Sequence, residues 1–275
     1  ADQPSEAGFF VSRRSVIDEF EEHRFKYRVD LDNLEIGDDI AALCVSRPTN
    51  PTGNVLTDSE ISALSSVAAD RELPLFIDNA YGVPFPGIIF EEVKPVWDRH
   101  IILGMSLSKL GLPASRTGII IADVPVIDAL SSLNAVMSLA TGSVGQVITT
   151  PLLKNGEILR ISKDIIRPYY KQKAKKALSW IDEFFEGRVD YSVHKSEGAI
   201  FLWIWFKNLR VPVSELYERL KKRGVIVVPG QFFFYGLEEE WEHRNQCIRI
   251  NYGQAEEDVR RGIEIIAEEA QKLHG

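Results

Sequence analysis

Four short apolar runs, residues 41–45, 75–77, 101–104 and 118–122, constrain this chain more than any other feature, because each ends in residues that cannot continue it. Pro48, Asn50, Pro51 and Gly53 break the first run, and Thr57 with Glu60 three residues on makes a capping box that starts a helix. That helix would carry Ile61, Leu64, Val67 and Ala68 on one face and lead into the second run. A strand, a crossover helix and a second strand imply parallel pairing. The runs at 101–104 and 118–122 are apolar throughout, the pattern of strands covered by helices on both faces. The expected class is α/β, with a mostly parallel sheet.

After Ala140 the pattern turns helical, and residues 158–185 read as a long connection with a kink at Pro168. Strands are then expected at 198–206, 225–228 and 247–252, with a helix at 213–223. A final amphipathic helix over 254–273 would line up Val259, Ile263, Ile266, Ala270 and Leu273. At 275 residues two domains are expected: a large α/β domain over 1–165 and a smaller C-terminal α+β domain over 166–275. No fixed-period repeat is present.

Composition excludes several classes. With 45% hydrophobic and 26% charged residues the chain reads as an ordered globular protein. Its longest apolar stretch, 199–206, is far short of the roughly 20 residues that cross a bilayer, and no basic-then-apolar leader opens it, so no membrane partner and a cytoplasmic location are expected. A net charge of -8 without a basic run argues against a nucleic-acid partner; the densest basic patch, 171–176, reads as a solvated helix face. Cys44 and Cys247 lie in strand-like runs without metal-ligand spacing and are expected to be buried free thiols, with no metal site.

The polar residues just beyond the apolar runs carry the chemistry, since open α/β sheets bind ligands beyond the carboxyl ends of their strands. Lys109 lies in Ser106-Leu107-Ser108-Lys109, Asp78 and Tyr81 follow the second run, and Asn50 follows the first. A lysine amine that captures an aldehyde cofactor needs a carboxylate at the pyridine nitrogen, a donor to the ring oxygen and cationic or hydroxyl donors to the phosphate. Asp78, then Tyr81 with Asn50, then Arg116 with Ser106 and Ser108 offer those functions, which together describe a pyridoxal 5'-phosphate site. Alternation puts Arg249 on one strand face with Cys247 and Asn251, and a buried arginine needs an anion. Taken singly, each residue has a plainer use. Lys109 and Arg116 suit a surface, Asp78 caps a turn, Tyr81 packs at a core edge, Asn50 makes a turn with Pro51, and Arg249 pairs with an internal carboxylate.

Asn50-Pro51-Thr52-Gly53, Asp78-Asn79-Ala80-Tyr81, Ser106-Leu107-Ser108-Lys109 and the late Arg249, in that order, resemble the signature set of the class I and II aminotransferases, fold type I pyridoxal-phosphate enzymes. The resemblance covers most of the chain and is strongest from Ser46 to Ala122, where residues 46–55, 77–90 and 106–113 look like a branch that exchanges valine with pyruvate. It implies an aspartate aminotransferase-like large domain with a small C-terminal domain. It also implies Lys109 as the Schiff-base lysine, Asp78 on the pyridine nitrogen, Tyr81 and Asn50 on the ring oxygen, and Ser106, Ser108 and Arg116 on the phosphate. Arg249, with Asn50 beside it, would take the substrate α-carboxylate. Amino transfer between a neutral aliphatic amino acid, valine or alanine, and a 2-oxo acid such as pyruvate is the implied activity, in a homodimer with shared active sites. The apolar Val83-Pro84-Phe85-Pro86 segment, and no second arginine beside the active loops, lean the same way.

Two departures stand beside this resemblance. Many members place one more residue between the lysine and the phosphate arginine than separate Lys109 from Arg116. Members also carry a phosphate loop and a ring-stacking aromatic upstream of the Asn-Pro motif, with no counterpart in residues 1–49. The chain, which starts at Ala1, is therefore expected to be the C-terminal two-thirds of such an enzyme, as a fragment or one piece of a cleaved or split polypeptide. Another fold type I enzyme, such as a C–S β-lyase or a synthase, and a non-catalytic cofactor-binding module are the alternatives.

Overall fold

A computed structural model describes residues 9–274. Two sheets organise them, one of four strands and one of six.

The chain enters through a hairpin, β1 (Val16–Glu21) and β2 (Arg24–Arg28), and then forms β3 (Leu43–Ser46). Helix α1 (Asp58–Asp70) follows, started by the expected capping box: Thr57 Oγ1 accepts from the Glu60 amide at 3.1 Å, and the Thr57 amide donates to Glu60 Oε2 at 2.8 Å. Ile61, Leu64 and Ala68 of α1 are buried against Leu75, Ile77 and Ile101. Those last three residues belong to β4 (Leu75–Asp78) and β5 (Ile101–Ser106), which run parallel to β3 as the crossover requires. Their register puts Ser46, Asp78 and Gly104 side by side, so the loops after three strands open on one rim.

The fourth strand, β6 (Gly118–Ile121), is antiparallel to β5 and completes a sheet of order β3-β4-β5-β6. The expectation that this run is covered on both faces does not hold among the described residues: Ile120 and Ile121 remain 42% and 41% exposed. Cys44 on the edge strand β3 is likewise exposed and not a buried thiol. An apolar run reports that a strand can be covered, and says nothing about which polypeptide covers it. Helix α2 (Val124–Ser138), which the sequence pattern did not mark, has no buried residue, and α3 (Val144–Lys154) buries only Gly145 and Thr149.

A short α4 (Glu157–Arg160) continues through a π-wound turn (Ile161–Ile166) into α5 (Arg167–Phe185). Pro168 has no N–H to bond back along the helix, and it falls where the winding changes from π to α. The expected kink is thus a change of winding just ahead of the proline. Next come β7 (Tyr191–His194), β8 (Phe201–Phe206), α6 (Val213–Lys222), a two-residue β9 (Val228–Pro229), β10 (Cys247–Asn251) and α7 (Glu256–Leu273).

The six-stranded sheet, of order β1-β2-β7-β8-β10-β9, packs Leu202, Ile204, Ile248 and Ile250 against α5, α6 and α7 through Ile181, Leu216, Ile263 and Ile266. Its other face buries Phe25, Tyr27, Trp203 and Cys247. The domain division at residue 165 needs correction for residues 16–28. The β1–β2 hairpin joins the C-terminal sheet by parallel pairing of Arg24 with Val193 and Phe25 with His194. A charged, alternating hairpin fixes which of its faces is buried but carries no sign of which sheet edge receives it.

Candidate active site

Apart from Arg116, the predicted residues lie where a strand of one sheet ends or where the second sheet faces it. Asp78 is the last residue of β4, Tyr81 lies three residues on, and Lys109 sits in a single 3-10 turn (Ser108–Leu110) after β5. Asn50 occupies the turn after β3, and Arg249 is the central residue of β10 in the other sheet.

Tyr81 is the hub. Its buried ring packs edge-on against Phe201 at 5.8 Å, and the Lys109 ammonium lies 5.2 Å from its centroid. Among the described residues, Lys109 Nζ makes no hydrogen bond or ion pair. A half-buried amine that faces an aromatic ring without a carboxylate partner is available for chemistry. Burial pushes the Tyr81 phenol up to about 12; the Arg249 charge opposes this, and Asp78 and Tyr170 reinforce it. The phenol therefore stays a donor across the physiological range.

Asp78 Oδ1 accepts from the Ala80 amide at 3.0 Å, so the plain turn-capping use is present. That bond engages one carboxylate oxygen. Arg249 donates from Nη1 to Asn50 Oδ1 at 2.6 Å, and its guanidinium lies between the Phe201 ring at 4.4 Å and the Phe233 ring at 5.0 Å. No acidic side chain pairs with Arg249 among the described residues, so its plainer reading as half of an internal ion pair has no partner here. Burial lowers its pKa, and the nearby Tyr81 works against that. With Oδ1 engaged, the Asn50 amide nitrogen is left to donate elsewhere.

Asp78, Tyr81, Lys109, Asn50 and Arg249 thus converge on one rim. Ser106 and Ser108 lie at its edge, joined by the Ser108 amide donating to Ser106 Oγ at 3.2 Å. Arg116 is not drawn in. It is exposed, takes a left-handed backbone (φ 46°) at the end of a second 3-10 turn (Pro113–Ser115), and its side chain reaches back only to the Pro113 carbonyl at 3.4 Å.

The aromatic pair around Arg249 and the neighbouring Tyr170 escaped the sequence reading. A signal existed for the first: in residues 201–206 alternation puts Phe201, Trp203 and Trp205 on one face, and pairing with β10 sets Trp203 opposite Arg249. Phe233 comes from the Phe232-Phe233-Phe234 run after β9, and nothing local predicts where that run folds back.

A lysine without a carboxylate partner among the described residues, a strand-end carboxylate and a buried phenol thus stand at the open ends of the four-stranded sheet, with Arg249 of the other sheet facing them. The family model for aminotransferase class I and II matches residues 12–266, and the chain belongs to that family. Valine–pyruvate aminotransferase of Escherichia coli K12 is 48% identical over 99% of this chain and 65% of its own length. The crystal structure of a valine-pyruvate aminotransferase from Salmonella typhimurium LT2 superposes with a TM-score of 0.94 at 47% identity, over 97% of this chain and 68% of that one. That of a putative amino-acid aminotransferase from Psychrobacter arcticum 273-4 does so with 0.92 at 44%, over 96% and 62%. The chain therefore spans about two thirds of the length of these relatives. The fold is that of the pyridoxal-phosphate-dependent aminotransferases.

Proposed function

We propose that this chain carries the lysine, the ring-nitrogen carboxylate and the substrate arginine of a pyridoxal 5'-phosphate-dependent aminotransferase that exchanges valine or alanine with a 2-oxo acid such as pyruvate. The observation that carries the reading is the Lys109 amine, half-buried and without a carboxylate partner among the described residues, over the Tyr81 ring on the rim shared with Asp78. The donor set fits the cofactor: an amine for its aldehyde, a carboxylate for its ring nitrogen, a neutral phenol and an amide for its ring oxygen. Bound there, pyridoxal phosphate supplies an aldehyde that takes the substrate's amino group and a ring that draws electrons from its Cα.

Lys109 would move the proton at Cα, first as base and then as acid. Asp78 keeps a proton on the ring nitrogen. Tyr81, neutral up to about pH 12, and the Asn50 amide donate to the ring oxygen. Arg249 orients the substrate by its α-carboxylate, with the guanidinium held against the rings of Phe201 and Phe233. Ser106, Ser108 and Arg116 are assigned to the phosphate, and Arg116 must swing in from its exposed position to serve. The apolar segment 83–86 and the high identity to the Escherichia coli relative support a neutral aliphatic substrate.

A homodimer with shared sites is inferred with this reading; the exposed apolar side chains Leu133, Val136 and Val147 on α2 and α3 support a further protein surface against them. A cytoplasmic location is inferred with it as well; among the described residues no helix is long and apolar enough to cross a membrane.

The test is borohydride reduction after incubation with pyridoxal phosphate, followed by peptide mass mapping, together with an assay of alanine formation from valine and pyruvate. A single pyridoxyl group on Lys109 and alanine as product are expected. Label scattered over surface lysines would overturn the Lys109 assignment, and ammonia in place of alanine would overturn amino transfer.

A further inference from the structure

Lys26 on β2 and Glu197 before β8 form an ion pair with side chains only 5% and 4% exposed. Taking two charges out of water is costly, and such a pair persists only where every donor and acceptor is satisfied. Lys26 Nζ has three hydrogens and three acceptors: Glu197 Oε2, Asn54 Oδ1 at 2.9 Å and the Val55 carbonyl at 3.0 Å. Glu197 Oε2 also accepts from the Val55 amide at 3.0 Å, and its Oε1 faces Lys195 Nζ at 3.2 Å. Both backbone groups of Val55 and the side chain of Asn54 are therefore held by one pair.

What it holds is the exit of the turn that carries Asn50. That turn is closed by the Thr49 amide donating to the Asn54 carbonyl and the Gly53 amide to the Thr49 carbonyl, each at 2.8 Å. Beyond Glu197, the Gly198 carbonyl presses on Gly53 so closely that a Cβ there would lie 2.6 Å away, and Gly53 adopts φ +72°. The same segment then reaches Phe201, whose ring lies under Arg249. Asn50 and Phe201, two of the groups that grip Arg249, thus stand on the two segments that the buried pair ties together.

We propose that Lys26 and Glu197 are positioning residues for substrate binding: by locking residues 49–55 to residues 197–201, they hold Asn50 and Phe201 so that Arg249 is oriented for a carboxylate before substrate arrives. This rests on the reading of Arg249 as the carboxylate-binding residue. Lys26 and Glu197 touch neither cofactor nor substrate in this scheme, and they act through the turn.

The test replaces both charges together, Lys26→Met with Glu197→Gln, because removing one would strand the other; the introduced glutamine retains an acceptor for the Val55 amide. In the cofactor-loaded protein, the dissociation constant of 3-methylbutanoate, a branched carboxylate without an amino group, is measured by calorimetry for wild type, the pair variant, Asn50→Ala and their combination. The pair variant and Asn50→Ala should each weaken binding about tenfold, and the combination should add clearly less than a further tenfold to the loss in Asn50→Ala, since the two share the Asn50 contact and only the Phe201 contact is left for the pair to act on. Amide hydrogen exchange without cofactor should quicken at Thr49 and Gly53 in the pair variant while β4 and β5 keep wild-type protection. Asn54→Ala, which leaves the ion pair in place, should shift both readouts the same way by a smaller factor and serves where the pair variant fails to fold. Multiplicative losses in the combination, or wild-type binding and exchange in the pair variant or in Asn54→Ala, would overturn the inference. A wild type that does not bind 3-methylbutanoate would overturn the carboxylate reading of Arg249 and this inference with it, whereas a binding wild type matched by its variants sinks the inference alone.

Discussion

The six-stranded sheet buries side chains on both faces, Ile204, Phe206 and Ile248 beneath its helices and Phe25, Trp203 and Cys247 on the opposite side. The four-stranded sheet is covered by α1 over Leu75, Ile77 and Ile101, while Ile120, Ile121 and every residue of α2 keep contact with solvent. The proposed division of labour follows the same line. Lys109 and Asp78, which handle protons, stand on loops and strand ends of the less enclosed sheet, and Arg249, which orients, is set in a strand of the enclosed one. Orientation tolerates little play, and a strand fixed by pairing on both sides with a buried face supplies the rigidity.

The largest effect expected from this contrast is kinetic. Lys109→Ala should lower the turnover number by about 10³-fold or more, because the group that carries the proton is gone, whereas Arg249→Met should act mainly on KM, raising it about 10–100-fold. Steady-state assays with valine and pyruvate check both, and substantial turnover in Lys109→Ala would break the comparison.

A second test bears on stability. Ile204→Ala, in the closed core, should cost about 2–5 kcal/mol in urea unfolding, whereas Val136→Ala on α2 should stay within about 0.5 kcal/mol at concentrations where the chain is monomeric, since only a second copy would cover it. Equal losses would mean that α2 is covered in solution.

The smallest effect concerns pH. His194 and His243, both on the face of the six-stranded sheet opposite its helices, are pushed down to about 3 by burial. A histidine with a depressed folded-state pKa binds its proton first in the unfolded chain, so its contribution to stability is present above about 6.5 and is lost as pH falls towards 3. Each group should contribute a slope of up to about 1.4 kcal/mol per pH unit between roughly pH 6 and 5, and His243→Gln should remove one such share. An unchanged slope in that variant would show that the buried histidine is not the sensor.

Much of the candidate rim was legible as a place in the fold because its residues follow apolar runs whose crossover dictates parallel strands. Asn50, Asp78, Tyr81 and Lys109 needed only that each run end where it does. The Thr57 cap was legible for the same local reason. Membership of the β1–β2 hairpin in the distant sheet was not, since it depends on Arg24 and Phe25 meeting Val193 and His194 far along the chain. Lys26 and Glu197 were equally opaque: a lone lysine in a hairpin and a lone glutamate in a loop look solvated until the fold buries them against each other. Helix α2 was missed because its polar side is only Asp128, Asn134 and serines, with no lysine, arginine or glutamate to mark a solvent face against its apolar majority.

The reversal of β6 has a consequence for how this rim can vary. Ser106 pairs with Gly118, so the chain leaves the rim at one residue and returns to it at its neighbour, and everything from Leu107 to Thr117 is a closed excursion pinned at both feet. Residues can be gained or lost inside that excursion without shifting any strand, which changes the reach of Arg116 while Lys109 keeps its place. The interval between those two residues can thus change in length without the sheet registering it.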